Sequence, residues 1–328
     1  MAESTLTLSY DDIAQAIGHF LGDGFTEWGN DQSKVIEIDS YIQSGLRNFY
    51  TATPLDGKLQ THEWSFMRPT TTLTAIAPYS TGTVTIVAGV VTLASGTFPS
   101  FGTARGLLTL SATGVGYAVS SRDSSTQLTL TDTTATAAAL STYELSFPTY
   151  DLPDDWGSFD GPLTYPPGTS DFYPPIEIVG EGQIRSRQQG VSFTHRPLRA
   201  AVRPKTFVAT TGQRFEMILD PAPDDDYIIT YRYNANPNRL SNSNKYHLGG
   251  MRYSECVLES CLAVAEARTR DNAGVHAMKF KELLASAVAF DNTQGSPDFL
   301  GFNTDRSDSR FPDLNMHRYP VSLIDYDV

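Results

Sequence analysis

The chain has 328 residues, with 24 Lys or Arg against 37 Asp or Glu, so its formal net charge is −13. Its composition, 40% hydrophobic and 19% charged, is that of a folded protein of two or three domains, and its acidity argues against a protein that grips nucleic acid through phosphate contacts. The sequence has no apolar run of about 18 residues and no apolar leader pattern, so we expect a protein made in the cytoplasm without a membrane anchor.

Two helices are predicted in the N-terminal segment, residues 1–68. Ser9 and the two aspartates that follow it are typical of a helix start, and apolar residues then recur at helical spacing as far as Gly22. A second repeat runs from Val35 to Phe49 and ends before the next proline. Each helix has one apolar face, which predicts that they form the N-terminal part of a helical bundle.

The next segment is rich in Ser and Thr, which make up 29 of its 79 residues between Pro69 and Phe147, and only five of those residues are charged. Short β-branched runs alternate with glycine turns, which predicts strands about ten residues apart. The runs are Thr83–Val87, Val90–Leu93, Leu107–Leu110, Tyr117–Ser120, Gln127–Leu130 and Tyr143–Phe147. We therefore expect a β-sandwich or barrel insertion over residues 69–150, in preference to a low-complexity linker.

Residues 151–250 begin with a proline-rich stretch that lacks periodicity and is predicted to be an irregular crossing. Further strand-like runs follow and predict a second β region. They are Ile176–Val179, Val191–Thr194, Thr206–Val208, Phe215–Leu219 and Tyr227–Tyr233.

The helical period returns in residues 251–292, which are predicted to hold the C-terminal part of the bundle. One stripe runs from Tyr253 to Val264, and a further helix is expected from about Gly274 to Phe290. Cys256 and Cys261 fall within the first stripe and are predicted to be core residues. Residues 293–328 have no period and are expected to form an extended tail. The predicted fold is therefore α+β, a small helical bundle built from N- and C-terminal helices, with a large β insertion.

Catalytic signatures are missing from the sequence. The six histidines are scattered without a metal-binding spacing, no Gly-x-Ser-x-Gly elbow occurs, and Asp224 to Asp226 fit a polar turn better than a calcium loop. We therefore predict no catalytic, cofactor or metal site and no enzyme activity. A polysaccharide hydrolase with paired carboxylates is the enzymatic alternative, and sequence cannot reveal such a pair.

The chain resembles the head-to-tail adaptor, or connector, family of tailed bacteriophages. The resemblance lies in an ordered set of segments: LSYDDIAQAIGHFLG, IDSYIQSGLRNFY, STGTVTIVAGVVTLASGTF, YAVSSRDSSTQLTLT, YELSFPTYDLPDDW, CLAVAEARTRDNAGVHAMKFKELLASAVAFD and LGFNTD. It implies a structural virion protein of the capsid-tail neck, assembled in the host cytoplasm. The implied partners are the portal protein, a tail or tail-completion protein, and other copies of the chain in a ring of usually twelve subunits, through which viral DNA passes without sequence-specific binding.

Acidic residues on the first helices are the candidates for lining such a channel, because residues 1–160 carry 6 basic and 17 acidic residues. An acidic wall would let polyanionic DNA slide without sticking; a solvated helix face is the alternative. The candidates are Asp11, Asp12, Asp23, Glu27, Asp31, Glu37 and Asp39.

Two further sets are candidates for contacts between proteins. The apolar side chains of the tail are candidates for contact with the portal or a neighbouring subunit, unless they pack on their own domain. They are Phe311, Leu314, Met316, Tyr319, Val321, Leu323, Ile324 and Tyr326. A basic cluster in a predicted strand-and-loop region is a candidate inter-subunit contact, unless it is a solvated loop. It comprises Arg185, Arg187, Arg196, Arg199, Arg203 and Lys205.

A tail-fibre or baseplate module that binds carbohydrate is the alternative function. It would need exposed aromatic side chains on the Thr-rich region, whereas the aromatic residues there fit core positions or strand ends. They are Tyr79, Phe98, Phe101, Tyr117, Tyr143 and Phe147.

Overall fold

The computed structural model describes residues 4–22, 31–52, 62–101, 105–166, 173–188, 193–270 and 274–294, and the α+β class is confirmed. The helices are α1 (Tyr10–Leu21), α2 (Gln32–Thr51), α3 (Glu181–Gln188), α4 (Met251–Arg270) and α5 (Val275–Gln294). The strands are β1 (Thr70–Ala75), β2 (Val84–Val87), β3 (Val90–Leu93), β4 (Leu107–Leu110), β5 (Gly116–Arg122), β6 (Gln127–Leu130), β7 (Ala137–Ser141), β8 (Tyr143–Ser146), β9 (Thr149–Asp151), β10 (Trp156–Phe159), β11 (Glu177–Ile178), β12 (Arg199–Pro204), β13 (Phe215–Asp220) and β14 (Tyr227–Ala235).

The start of α1 is a capping box. The Ser9 hydroxyl accepts a hydrogen bond from the backbone N–H of Asp12, and the Asp12 carboxylate accepts one from the backbone N–H of Ser9. Two otherwise unpaired backbone donors are thereby satisfied. The helix ends at Gly22, whose φ of 86° lies in the left-handed region that glycine adopts without strain. Both predicted ends of this helix are confirmed.

Helices from both ends of the chain share one apolar core. Buried members include Ile17 of α1, Ile42 and Phe49 of α2, Cys261 of α4 and Leu284 of α5. Helix α4 lies between α2 and α5 and packs against each of them. Both cysteines are free and buried, as predicted, and burial raises the pKa of each thiol to about 12.

The Ser- and Thr-rich region forms one antiparallel seven-stranded sheet in the order β7-β2-β3-β6-β5-β4-β8. The strands at its two ends, β7 and β8, are separated in sequence by Thr142 alone, so the sheet must curl until these two ends meet, as in a barrel. Six of its strands were predicted. The sequence did not reveal β7, because three of its five residues are alanine, which is poor in strands.

A four-stranded sheet, β11-β12-β13-β9, and a three-stranded sheet, β1-β14-β10, complete the β structure. The prediction did not contain β1, β9, β10, β12 or α3. Two predicted strands are wrong, because Thr194 and Val208 form only isolated bridges. The irregular crossing contains β10, a short strand that pairs with the end of β14. Helix α3 has one buried residue, Ile184, which packs on the four-stranded sheet, so its sequence carries no helical apolar period.

The two predicted β regions share a second apolar core. Its buried members include Leu108 of the curled sheet, Tyr150 and Met217 of the four-stranded sheet, and Ile229 of the three-stranded sheet. The domain boundary at residue 150 stays a prediction.

Candidate interaction surfaces

The acidic residues at the ends of α1 and α2 have local structural roles. Asp11 is exposed in the first turn of α1, and Asp12 belongs to the capping box. Asp31 caps α2 by accepting hydrogen bonds from the backbone N–H and the hydroxyl of Ser33, and these bonds lower the pKa of its carboxyl. Asp23 and Glu27 lie outside the described residues.

Two further acidic candidates lie on α2 and have polar partners. Glu37 accepts a hydrogen bond from the hydroxyl of Tyr41 one turn later. The Asp39 carboxylate is 2.8 Å from Arg239 Nη2 and accepts a hydrogen bond of 3.2 Å from the hydroxyl of Tyr10. Arg239 therefore partly balances the charge of Asp39, whereas the hydrogen bond from Tyr41 brings no positive charge to Glu37.

The basic cluster is distributed over two elements and their flanks. Arg185 and Arg187 lie on α3, and not in the predicted strand-and-loop region; Arg199 and Arg203 lie on β12. Most members face carboxylates of the chain itself. Arg203 Nε is 2.5 Å from Glu216, and Arg199 Nε is 3.4 Å from Glu177. The exposed Arg187 has no carboxylate partner among the residues that the structure describes.

An additional arginine, Arg105, joins the curled sheet to the four-stranded sheet. Its guanidinium is 2.6 Å from Asp151 at the end of β9 and 2.5 Å from the buried Glu216 on β13. Lys205 lies 2.8 Å from the same Asp151 oxygen. Sequence reasoning missed Arg105, because a single arginine after a glycine-rich stretch carries no signal for two partners 46 and 111 residues away.

A cleft of about 530 Å³ opens beside this ion-pair network, and we call it the arginine cleft. Arg105, Arg187, Arg199, Arg203 and His195 line it, and Asp220 is the carboxylate among the lining residues that the structure describes. The rest of the lining is mainly apolar and includes Leu107, Phe193, Leu198, Ile218 and Pro221. The side chains of Phe193 and Leu198 are exposed, to 57% and 40%. The lining of the cleft therefore combines several basic side chains with apolar side chains.

The Arg105 network predicts a specific loss of stability in acid. Hydrogen bonding to Arg105 outweighs burial and, with Lys205, lowers the pKa of Asp151 from 3.8 to about 2. A carboxyl with a lowered pKa stabilises the fold fully above its unfolded pKa and loses that contribution as the pH falls through the folded value. We therefore expect Asp151→Asn to reduce the free energy of unfolding at pH 6 and to have a much smaller effect near pH 2. Urea titrations of both proteins between pH 6 and pH 2 measure this, and a constant difference would contradict it.

The helical core contains a second, buried polar centre around Asp291 of α5. Its carboxylate is 2.7 Å from His62 Nε2, and it accepts hydrogen bonds from the backbone N–H and the hydroxyl of Ser65 and from the hydroxyl of Tyr253. Burial alone would raise the pKa of Asp291, but the hydrogen bonds from Ser65 and His62 together lower it. This centre joins α4 and α5 to the segment that leads from α2 into the β structure.

His276 is part of a third polar group, around the buried Glu259 of α4. Its Nδ1 is 2.8 Å from the buried Glu259 of α4, and Lys279 Nζ is 2.5 Å from the other Glu259 oxygen. Within the described ranges no three His, Cys, Asp or Glu side chains form a group that could hold a metal ion.

Comparison with known protein families identifies the family of this chain. The family model described as SU10 adaptor protein matches residues 117–300, which is more than half of the chain. The chain belongs to the SU10 adaptor protein family. A comparison with curated proteins finds no match. The match begins inside the curled sheet at β5 and includes both C-terminal helices.

Family membership confirms the resemblance to the phage head-to-tail adaptors and gives the chain a structural adaptor role in a bacteriophage. In the part of the adaptor that the structure describes, no helix has the length and apolar character that crossing a membrane requires. The apolar candidates of the tail, Phe311 to Tyr326, lie outside the described residues.

The aromatic side chains of this adaptor's curled sheet do not form a carbohydrate platform. Phe98, Tyr143 and Phe147 are buried in the β core, and Tyr79 and Tyr117 pack against it. Phe101 is half-exposed, with its ring centroid 5.8 Å from that of Tyr150. The described aromatic residues of this region therefore serve mainly to pack the core.

Proposed function

We propose that the adaptor forms a homo-oligomeric ring that docks beneath the portal and continues the DNA channel towards the tail. The ring has twelve subunits, the number that the resemblance implies, and it lies in the virion neck after assembly in the host cytoplasm. Membership of the SU10 adaptor protein family is the observation that carries this proposal.

The body of each subunit in this ring is the helical bundle of α1, α2, α4 and α5. Their common apolar core supports this assignment, because the four helices bury the same surface although about 200 residues separate α2 from α4. Copies of this bundle pack side by side in the proposed ring, which needs complementary surfaces on each subunit. The β insertion leaves the bundle between α2 and α4. The proposed segments of the whole chain are 1–68, 69–150, 151–250, 251–292 and 293–328.

The channel wall in this proposal is acidic. Asp11 and Glu37 are exposed on α1 and α2, so both can face a lumen without unfolding their helices. Asp12, Asp31 and Asp39 contribute negative charge while they cap helices or pair with neighbours. An acidic lumen offers phosphates few basic partners and so reduces friction on the DNA.

The tail and the basic cluster supply contacts in the ring. The apolar residues from Phe311 to Tyr326 contact the portal or a neighbouring subunit, and the basic cluster faces a neighbour. Arg187 is the best placed of these basic residues because it is exposed and has no carboxylate partner among the described residues.

Electron cryo-microscopy of the purified chain, alone and mixed with its portal protein, tests this function. We expect a closed ring with a central hole on the portal, with Asp11 and Glu37 on the inner wall. A chain that stays monomeric with the portal present, or binds it without rotational symmetry, would rule the proposal out. A ring with these two carboxylates on its outer surface would remove only the acidic wall.

A further inference from the structure

We propose that the arginine cleft binds the segment Leu323–Val328 of a neighbouring copy of the chain. The proposal rests on the proposed ring and identifies one pair of surfaces that hold adjacent subunits together.

The lining of the cleft favours a ligand with carboxylates on one side and apolar groups on the other. Arg187 is exposed without a described carboxylate partner, and Arg199 is 4.0 Å from Asp220 and 3.4 Å from Glu177, so its carboxylate contacts are loose. Phe193 and Leu198 expose apolar surface beside these guanidinium groups. Guanidinium groups bind carboxylates in a defined planar geometry, and the volume of about 530 Å³ is in the range of ligand-binding pockets.

The sequence of Leu323–Val328 has this two-sided character. Asp325 and Asp327 alternate with Ile324, Tyr326 and Val328, and no basic residue occurs from Pro320 to Val328. In an extended chain successive side chains point to opposite sides. Both carboxylates then face the arginines while the three apolar side chains lie against the apolar walls.

A neighbouring copy is the proposed donor because a closed ring needs two different, complementary surfaces on every subunit. The segment and the cleft form such a pair. The 28 residues between Gln294 and Leu323 span at most about 90 Å when extended, enough to reach the next subunit.

Photo-crosslinking of the full-length chain tests the proposal. p-Benzoylphenylalanine replaces Phe193, and the variant is mixed with unmodified, ¹⁵N-labelled chain before illumination. We expect mass spectrometry to find crosslinks from position 193 to labelled peptides that contain residues 323–328. The same group at Val87, exposed on the β2–β3 hairpin, is the control and should not reach these peptides.

Charge reversal supplies the second measurement. We expect Arg187→Glu to reduce the crosslink yield about fivefold, and Asp325→Lys with Asp327→Lys to restore it in the Arg187→Glu background. Arg185→Glu is the matched control, because Arg185 lies on the same helix but does not line the cleft. It should leave the yield unchanged.

The outcomes separate this inference from the proposed function. Rings that form on the portal but give no crosslink to residues 323–328 overturn the inference and leave the ring intact. Crosslinks confined to the unlabelled chain's own segment also overturn it, since the donor would then not be a neighbour. Equal yields for the two reversals, Arg187→Glu and Arg185→Glu, would show that charge pairing at the cleft is not involved.

Discussion

Replacing Gly45 by alanine is expected to destabilise the helical core by about 2 to 4 kcal/mol. Gly45 lies at a close contact between α2 and α4, and a Cβ atom there would be 2.6 Å from both the Cα and the Sγ of Cys261. The two helices cannot easily separate to make room for this Cβ atom, because the Ser260 hydroxyl donates a hydrogen bond of 2.8 Å to the Gly45 carbonyl oxygen. Urea unfolding monitored by circular dichroism measures the change.

Gly182→Ala is the control for this prediction. Gly182 lies in α3, and no atom lies within 4 Å of a Cβ placed on it. Alanine there should be neutral or slightly stabilising, because glycine is the poorer helix former by about 1 kcal/mol. Equal stabilities for Gly45→Ala and the unmodified chain would contradict the close packing of α2 on α4.

Replacing Asp291 by alanine is expected to cost about 3 kcal/mol in the free energy of unfolding. The substitution removes the acceptor for His62, Ser65 and Tyr253 at once and leaves their donors at a buried site. The near-ultraviolet circular dichroism signal should also weaken, because the rings of Trp64 and Tyr253 lie in contact with this centre. Chemical unfolding of purified protein measures the energy.

The adjacent Asn292 provides the matched comparison for Asp291. It is exposed on the same turn of α5, so Asn292→Ala should change the stability by less than about 0.5 kcal/mol. Similar losses for both variants would indicate that the helix itself, and not the carboxylate, is responsible.

The elements that sequence predicted well are those whose local pattern agrees with their burial. Helix α1 has a capping serine, a stripe of buried isoleucines and a terminal glycine, so its limits follow from local chemistry. The strands β3, β4 and β6 alternate buried residues with more accessible ones and were predicted with their observed limits. Such elements need no information from the rest of the chain.

Elements that depend on distant partners were not predictable. Helix α3 buries only Ile184, and β10 is a strand because it pairs with the end of β14. The arginine cleft is assembled from Arg105, α3, β12 and β13, which are far apart in sequence. Sequence identified its basic residues as a cluster, but the carboxylates that face them, and Arg105 itself, follow only from the pairing of strands.

The contact between Gly45 and Ser260 links residues separated by 215 positions along the chain. During synthesis at about 5 to 20 residues per second, α2 leaves the ribosome roughly 10 to 40 seconds before α4. The apolar face of α2 lacks its main partner for that interval, and a chain interrupted anywhere in the β structure never obtains it. A product truncated in the β structure therefore lacks the helical core that α2 and α4 form together.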